Sequence, residues 1–217
     1  MLVCSTAFSQ VVPTTSGDTL SYDSFQAKQG IFSAEITFEK NKNQFVVALI
    51  VESTGDRKYN LLNGSPRWGF DKDFLLTSAR GKLTDPNQEH QYLPKDQSLS
   101  LGSQWEYVRT IETGYCGTWR SVYRPVVTNG PDAVINIDSK EVTVKTLKVD
   151  YDSKATYSNS SCNIIPQEKN FYLYSPELNE IVLRQQVDLI NGGLQPNGTK
   201  YKLELKSITT KAGQAAK

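Results

Sequence analysis

The chain has 217 residues, 24 Lys and Arg against 23 Asp and Glu, and a single histidine. Balanced charge leaves no field of one sign to gather nucleic acid or an anionic membrane surface, so neither partner is expected. One histidine excludes any multi-histidine metal site. The length suits one all-β domain or two small ones, and no run approaches the roughly 20 apolar residues of a membrane helix, so the chain is not expected to span a membrane.

The segment Met1 to Gln10 resembles the end of a secretory signal peptide. Apolar Leu2-Val3-Cys4 precedes Ala7-Phe8-Ser9, which has small residues at the two positions a signal peptidase requires. Val3 is not the small residue that a lipoprotein cysteine wants before it, at Cys4. Residues 1–9 are therefore expected to be a signal remnant and 10–210 a single β domain. Two β-rich halves, 10–94 and 95–210, could meet at the loop 84–98. Residues 211–217 have nothing to bury and are expected to be a disordered tail.

Residues 11–20 read as a polar lead-in. Ala34, Ile36 and Phe38 then alternate with polar neighbours, and Phe45 to Val51 is a continuous apolar run. Together, 31–52 predicts a hairpin whose second strand is buried on both faces. A strand is expected at Phe74–Ala79, and others at Leu101–Val108 and Trp119–Val127. Ala133–Ile137 and Val142–Tyr151 predict a hairpin with a bulge near Lys145-Thr146, where the alternation loses parity. Phe171–Tyr174 should pair with Ile181–Gln186 across a Ser-Pro turn, and Tyr201, Leu203 and Leu205 mark a last strand. No window keeps a helical period. The fold class is all-β and antiparallel, an open barrel, half-barrel or sandwich with few or no helices.

Without residues 1–9, two cysteines remain, Cys116 and Cys162, both in polar stretches. In an exported chain such a pair is expected to form a disulfide. Closing a loop of about 45 residues is worth about 4 kcal/mol on the chain-entropy model.

Two motifs in the second half bear on family. Leu99-Ser100-Leu101-Gly102-Ser103-Gln104-Trp105-Glu106-Tyr107 is followed later by Tyr174-Ser175-Pro176-Glu177-Leu178-Asn179-Glu180-Ile181-Val182-Leu183-Arg184. In that order they resemble an uncharacterised family of exported bacterial β-domains, over about residues 94–208. In that family the first motif runs Pro-Leu-x-Val-Gly-x-x-Trp-x-Tyr and the second Tyr-Ser-Pro-x-x-Gly-x-Val-Val-x-Arg. Asn179 replaces the second motif's Gly, and Asn is the next most tolerant residue of a left-handed backbone. The resemblance implies a β fold and a periplasmic or secreted location. It carries over no catalytic residue.

Catalytic signals are weak. Asp71 and Asp73, beside Trp68 and Phe70, are the least bland acids, yet Gly69-Phe70-Asp71-Lys72-Asp73 also reads as a solvated turn. His90 lies in a polar loop, and no Gly-x-Ser-x-Gly elbow accompanies it. No catalytic residue, metal ligand or cofactor is assigned. Aromatics are more suggestive: Trp68, Trp105, Tyr107, Trp119 and Tyr123 could bind a ligand or fill a core. Arg120, Arg124 and Arg184 could pair across strands or cradle an anion. The expected function is an exported, non-enzymatic β protein that binds a lipid or other apolar small molecule, or an envelope protein. An enclosed pocket for such a ligand would be lined by Phe45, Val47, Trp105 and Tyr172. The alternatives are a hydrolase of envelope polymer, with acids such as Asp71 or Asp73 in a cleft, and a carbohydrate-binding module using a strip of Trp68, Trp119 and Tyr123.

Overall fold

A computed structural model describes residues 11–29, 36–42, 44–72, 74–80, 82–83, 94, 99–112, 116–151, 153–159, 161–162, 166–190, 193–194 and 200–215. Residues 1–9, His90, Asp73 and most of the loop 84–98 lie outside these.

In chain order the first strands are β1 (Thr19–Gln29), β2 (Ile36–Lys40), β3 (Phe45–Val51), β4 (Arg57–Leu61), β5 (Pro66–Phe70), β6 (Leu76–Ala79) and β7 (Lys82–Leu83). Next come β8 (Tyr107–Glu112), β9 (Thr118–Tyr123), β10 (Val126–Asn129), β11 (Ala133–Ile137) and β12 (Lys140–Val144). The chain continues through β13 (Leu147–Tyr151), β14 (Ser153–Tyr157), β15 (Pro166–Ser175), β16 (Glu180–Ile190), β17 (Gly193–Leu194) and β18 (Lys200–Thr209). Fifteen of the described strands form one sheet along the path β10-β13-β15-β16-β18-β1-β3-β4-β5-β6-β7. A second sheet has three strands, β14-β9-β8. The long path ends at β10 and β7 without joining them, so the fold is all-β, mostly antiparallel and not a closed barrel.

β1 opens where the sequence reads as a polar lead-in. The Asp18 carboxylate accepts from the Thr15 amide at 2.8 Å and shapes the turn before it. Leu20 and Tyr22 then enter the core, while Thr19 before them and Ser21 between them stay wetter. One half of β1 pairs with β3 and the other half with β2. The two strands expected to form one hairpin over 31–52 therefore lie end to end beside β1 and do not pair with each other. β3 pairs with β4 on its other side, and Ile50 is 42% exposed, so β3 is not buried on both faces.

Three further strands match expectation. β15 and β16 pair from Pro166↔Ile190 to Ser175↔Glu180, and β18 pairs with both β16 and β1. The β11–β12 turn puts Asp138 and Ser139 at φ 48° and 68°, the left-handed pair that a tight hairpin of this hand needs. Beyond it the expected return strand is two strands. β12 pairs with β11, whereas β13 leaves to pair with β10 and β15. The parity break at Lys145-Thr146 marks this change of partner rather than a bulge. Thr146 Oγ1 donates to the Pro131 carbonyl at 2.6 Å and pins the crossing. The tail differs too, since Lys211–Ala215 form a short helix, α1. The Gln214 side chain reaches back to the Gly17 carbonyl at 2.8 Å.

One large buried cluster unites both halves, from Leu20 and Val47 to Tyr172, Val182 and Ile208. No helix of the described residues is long and apolar enough to cross a membrane.

Candidate functional site

Two buried ionic centres lie within the β structure. The first joins the lead-in, β4 and β16. Arg57 Nη2 donates to Glu180 Oε2 at 2.7 Å, with both side chains 2% exposed. The same nitrogen donates to Thr14 Oγ1 at 2.6 Å, and Tyr59 donates its hydroxyl to Glu180 at 2.9 Å. Burial alone would lower the Arg57 pKa, but Glu180 and Tyr59 outweigh it and raise it, so the guanidinium stays charged. Burial, then the Glu180 charge, pushes the Tyr59 phenol well up. Such an acid is held and neutralised, and is closed to solvent.

The second centre ties the three-stranded sheet to the large one. Glu168 on β15 accepts from Arg109 on β8 at 3.1 Å and from the Tyr123 hydroxyl on β9 at 2.9 Å. Asn170 donates to its other oxygen at 2.7 Å, and Asp188 stands directly opposite on β16. Burial raises the Glu168 pKa, Arg109 opposes that and Asp188 adds to it, leaving the carboxyl above its ordinary range. Nearby, Cys116 and Cys162 form a disulfide with Cα atoms 5.5 Å apart, inside the usual span, and it staples the start of β9 to the segment after β14.

The aromatic candidates fall in two places. Tyr107 and Tyr123 are cross-strand partners, stacked at 4.7 Å between centroids, with Tyr123 fully buried. Trp119 lies on the same sheet, 6.4 Å from Tyr157. Trp105 packs at the edge of the main core. Trp68 alone stands on the large sheet, on β5. Trp68, Trp119 and Tyr123 therefore do not make one exposed strip. Val47 and Tyr172 are fully buried, and Phe45 and Trp105 pack against the same cluster. The cavity within that aromatic core is about 40 Å³, with Tyr22, Tyr59, Trp68, Phe70, Arg184 and Leu203 among its walls. That is room for a water, not for a lipid chain, since small-molecule pockets run to roughly 300–1,000 Å³. A larger, open groove of about 780 Å³ lies between the lead-in, the β11–β12 hairpin and α1, with Val12, Ile137, Val142 and Ala212 on its walls.

Among the acids, Asp71 accepts from the Leu75 amide at 2.8 Å, which is a turn contact. Among the described residues no group of three His, Cys, Asp or Glu is placed to hold a metal ion. Of the three arginines, Arg124 pairs with Glu106 at 2.9 Å on the surface and Arg120 is exposed. Only Arg184 turns toward the aromatic core, with its guanidinium 5.5 Å from the Tyr201 ring centroid. Sequence reasoning missed both Glu centres, because their partners lie up to 123 residues away.

No protein-family model and no curated protein matches the chain. Two solved structures align along most of it. One is a candidate lipoprotein from Parabacteroides distasonis ATCC 8503, at 13% identity and TM-score 0.38, covering 91% of this chain and 97% of that one. The other is a candidate exported protein with a YmcC-like fold from Bacteroides fragilis NCTC 9343, at 11% identity and TM-score 0.31, covering 91% of this chain and 98% of that one.

Proposed function

We propose that this chain is an exported, non-enzymatic β protein of the cell envelope that acts by binding at its surface. The observation that carries the reading is how the interior is filled. Two of its buried carboxylates, Glu168 and Glu180, are each locked to an arginine and a tyrosine. Neither is offered to a substrate as an acid or base. The cavity of about 40 Å³ between the core aromatics is too small for a lipid chain. Binding then belongs to the outer features, namely the open groove and the half-buried Trp68 ring of β5. Export rests on the signal-like Met1 to Gln10 segment and on the Cys116–Cys162 bridge, a bond that persists in oxidising compartments.

Native mass spectrometry of the protein purified from its own compartment tests this. A co-purifying small molecule or envelope protein is the expected result. Turnover of an envelope polymer by the pure protein, with nothing bound, would overturn it.

A further inference from the structure

Several described cations of this protein are paired with acids. Lys40 pairs with Asp23, Arg57 with Glu180, Arg109 with Glu168, Arg124 with Glu106, and Lys202 and Lys206 share Glu204. Arg67 and Arg80 are not among them. They meet where β5 and β6 pair, and the Arg80 amide donates to the Arg67 carbonyl at 2.8 Å. Among the described residues neither side chain has a carboxylate partner. The Arg67 Nε is buried and has no hydrogen-bond partner there. Its guanidinium lies over two rings, 5.2 Å from the centroids of both Phe45 and Trp68, which are themselves 5.1 Å apart. Arg184 borders the same ground. It shares the small cavity with Trp68, donates to Gln186 at 3.2 Å and lies over the Tyr201 ring.

Two like charges side by side, one of them half-buried over an apolar floor, are unfavourable until something negative joins them. A guanidinium fork fits the planar or tetrahedral oxygens of a carboxylate, phosphate or sulfate. An aromatic floor adds surface for a flat or apolar body. We infer that Arg67, over Phe45 and Trp68, and the exposed Arg80 beside it form a binding site for a small organic anion, its charged group on the arginines and its body against the rings. Burial, and then the Arg80 charge, lowers the Arg67 pKa, as expected of a cation waiting for a counter-charge. This rests on the binding reading above and names a ligand class for it.

The test uses the oxidised full chain, with calorimetry and tryptophan fluorescence. The probes are phenyl phosphate, inorganic phosphate and phenol. Phenyl phosphate should bind best, its affinity should fall with salt, and W68F should lose most of the fluorescence response. R67Q and R80Q should each weaken binding by about tenfold or more. R67K keeps the charge without the fork, so it should melt like the wild type and still bind weakly. R124Q, in the connection between β9 and β10, should bind normally. Wild-type affinity in R67Q and R80Q, or phenol binding as well as phenyl phosphate, would overturn the site. Equal binding of inorganic and phenyl phosphate would remove the organic body from it. A co-purified neutral ligand or envelope protein retained by R67Q and R80Q would leave the binding function standing and sink the anion site.

Discussion

Arg57 and Glu180 stand 123 residues apart in the chain and 2.7 Å apart in space, each 2% exposed. Leaving one such charge without the other costs about 3–5 kcal/mol, whereas replacing both with apolar groups of similar size is often neutral. E180Q or R57M alone should therefore lower stability by about that much in urea denaturation. The double variant R57M/E180M should recover most of the loss. Single variants within about 1 kcal/mol of the wild type would show that the pair matters little to folding.

The Cys116–Cys162 bridge closes a separation of 46 residues. Replacing both by serine should cost about 4 kcal/mol on the chain-entropy model. In the oxidised protein neither thiol should react with a thiol reagent until reductant is added. Reaction at both positions without reductant would refute the bridge.

Glu168 predicts an unusual pH response. Its folded pKa is raised, by burial first, above the ordinary 4.5, so the folded state holds its proton more tightly than the unfolded chain does. The group's contribution to stability is then fully present below the unfolded pKa and fades as pH rises through the folded pKa. The titratable groups facing it are Arg109 on β8, Tyr123 on β9 and Asp188 on β16. E168Q removes the titration. The melting temperature of the wild type relative to E168Q should thus be higher at mildly acidic pH than at alkaline pH. A difference that stays flat, or grows with pH, would contradict the assignment.

Glu204 should behave oppositely. Burial alone would raise its pKa, but hydrogen bonds from Lys202 and Lys206 prevail and lower it. Its contribution is present above the unfolded pKa and is lost as pH falls through the folded one. E204Q lacks that contribution, so it should be less stable than the wild type at neutral pH, and the gap should close as pH falls through the folded pKa. A stability gap that stays constant from neutral to acid pH would count against it.

Asn179 occupies the turn between β15 and β16 at φ 49°, and its side-chain oxygen accepts from the Tyr174 hydroxyl at 2.7 Å. N179A should cost about 1–2 kcal/mol, since an ordinary residue is strained in the left-handed region. N179G relieves that strain and forfeits the hydrogen bond, so thermal melts should place it within about 1 kcal/mol of the wild type.

Much of this was legible in one dimension. Alternation in Phe171–Tyr174, Ile181–Gln186 and Tyr201–Leu205 reports which face each side chain takes, and local turns such as Ser175 to Asn179 bring neighbouring strands together. The β class and the tolerance of Asn179 for its turn follow from such local terms, and the Cys116–Cys162 pairing from these being the two cysteines left without residues 1–9. What a strand pairs with is not local. β2 and β3 both lie beside β1, and β13 leaves β12, because a strand of either face pattern is satisfied by any partner that buries its apolar side. The same reason hid Arg67 and Arg80. Nothing in their sequence context sets them apart from other surface arginines. Only the pairing of β5 with β6 places them side by side, Arg67 over a ring floor, with no carboxylate bonded to either among the described residues. Sequence by itself determined the class of structure, and tertiary pairing alone decided which charges meet, since alternation encodes a side chain's face but not its neighbour.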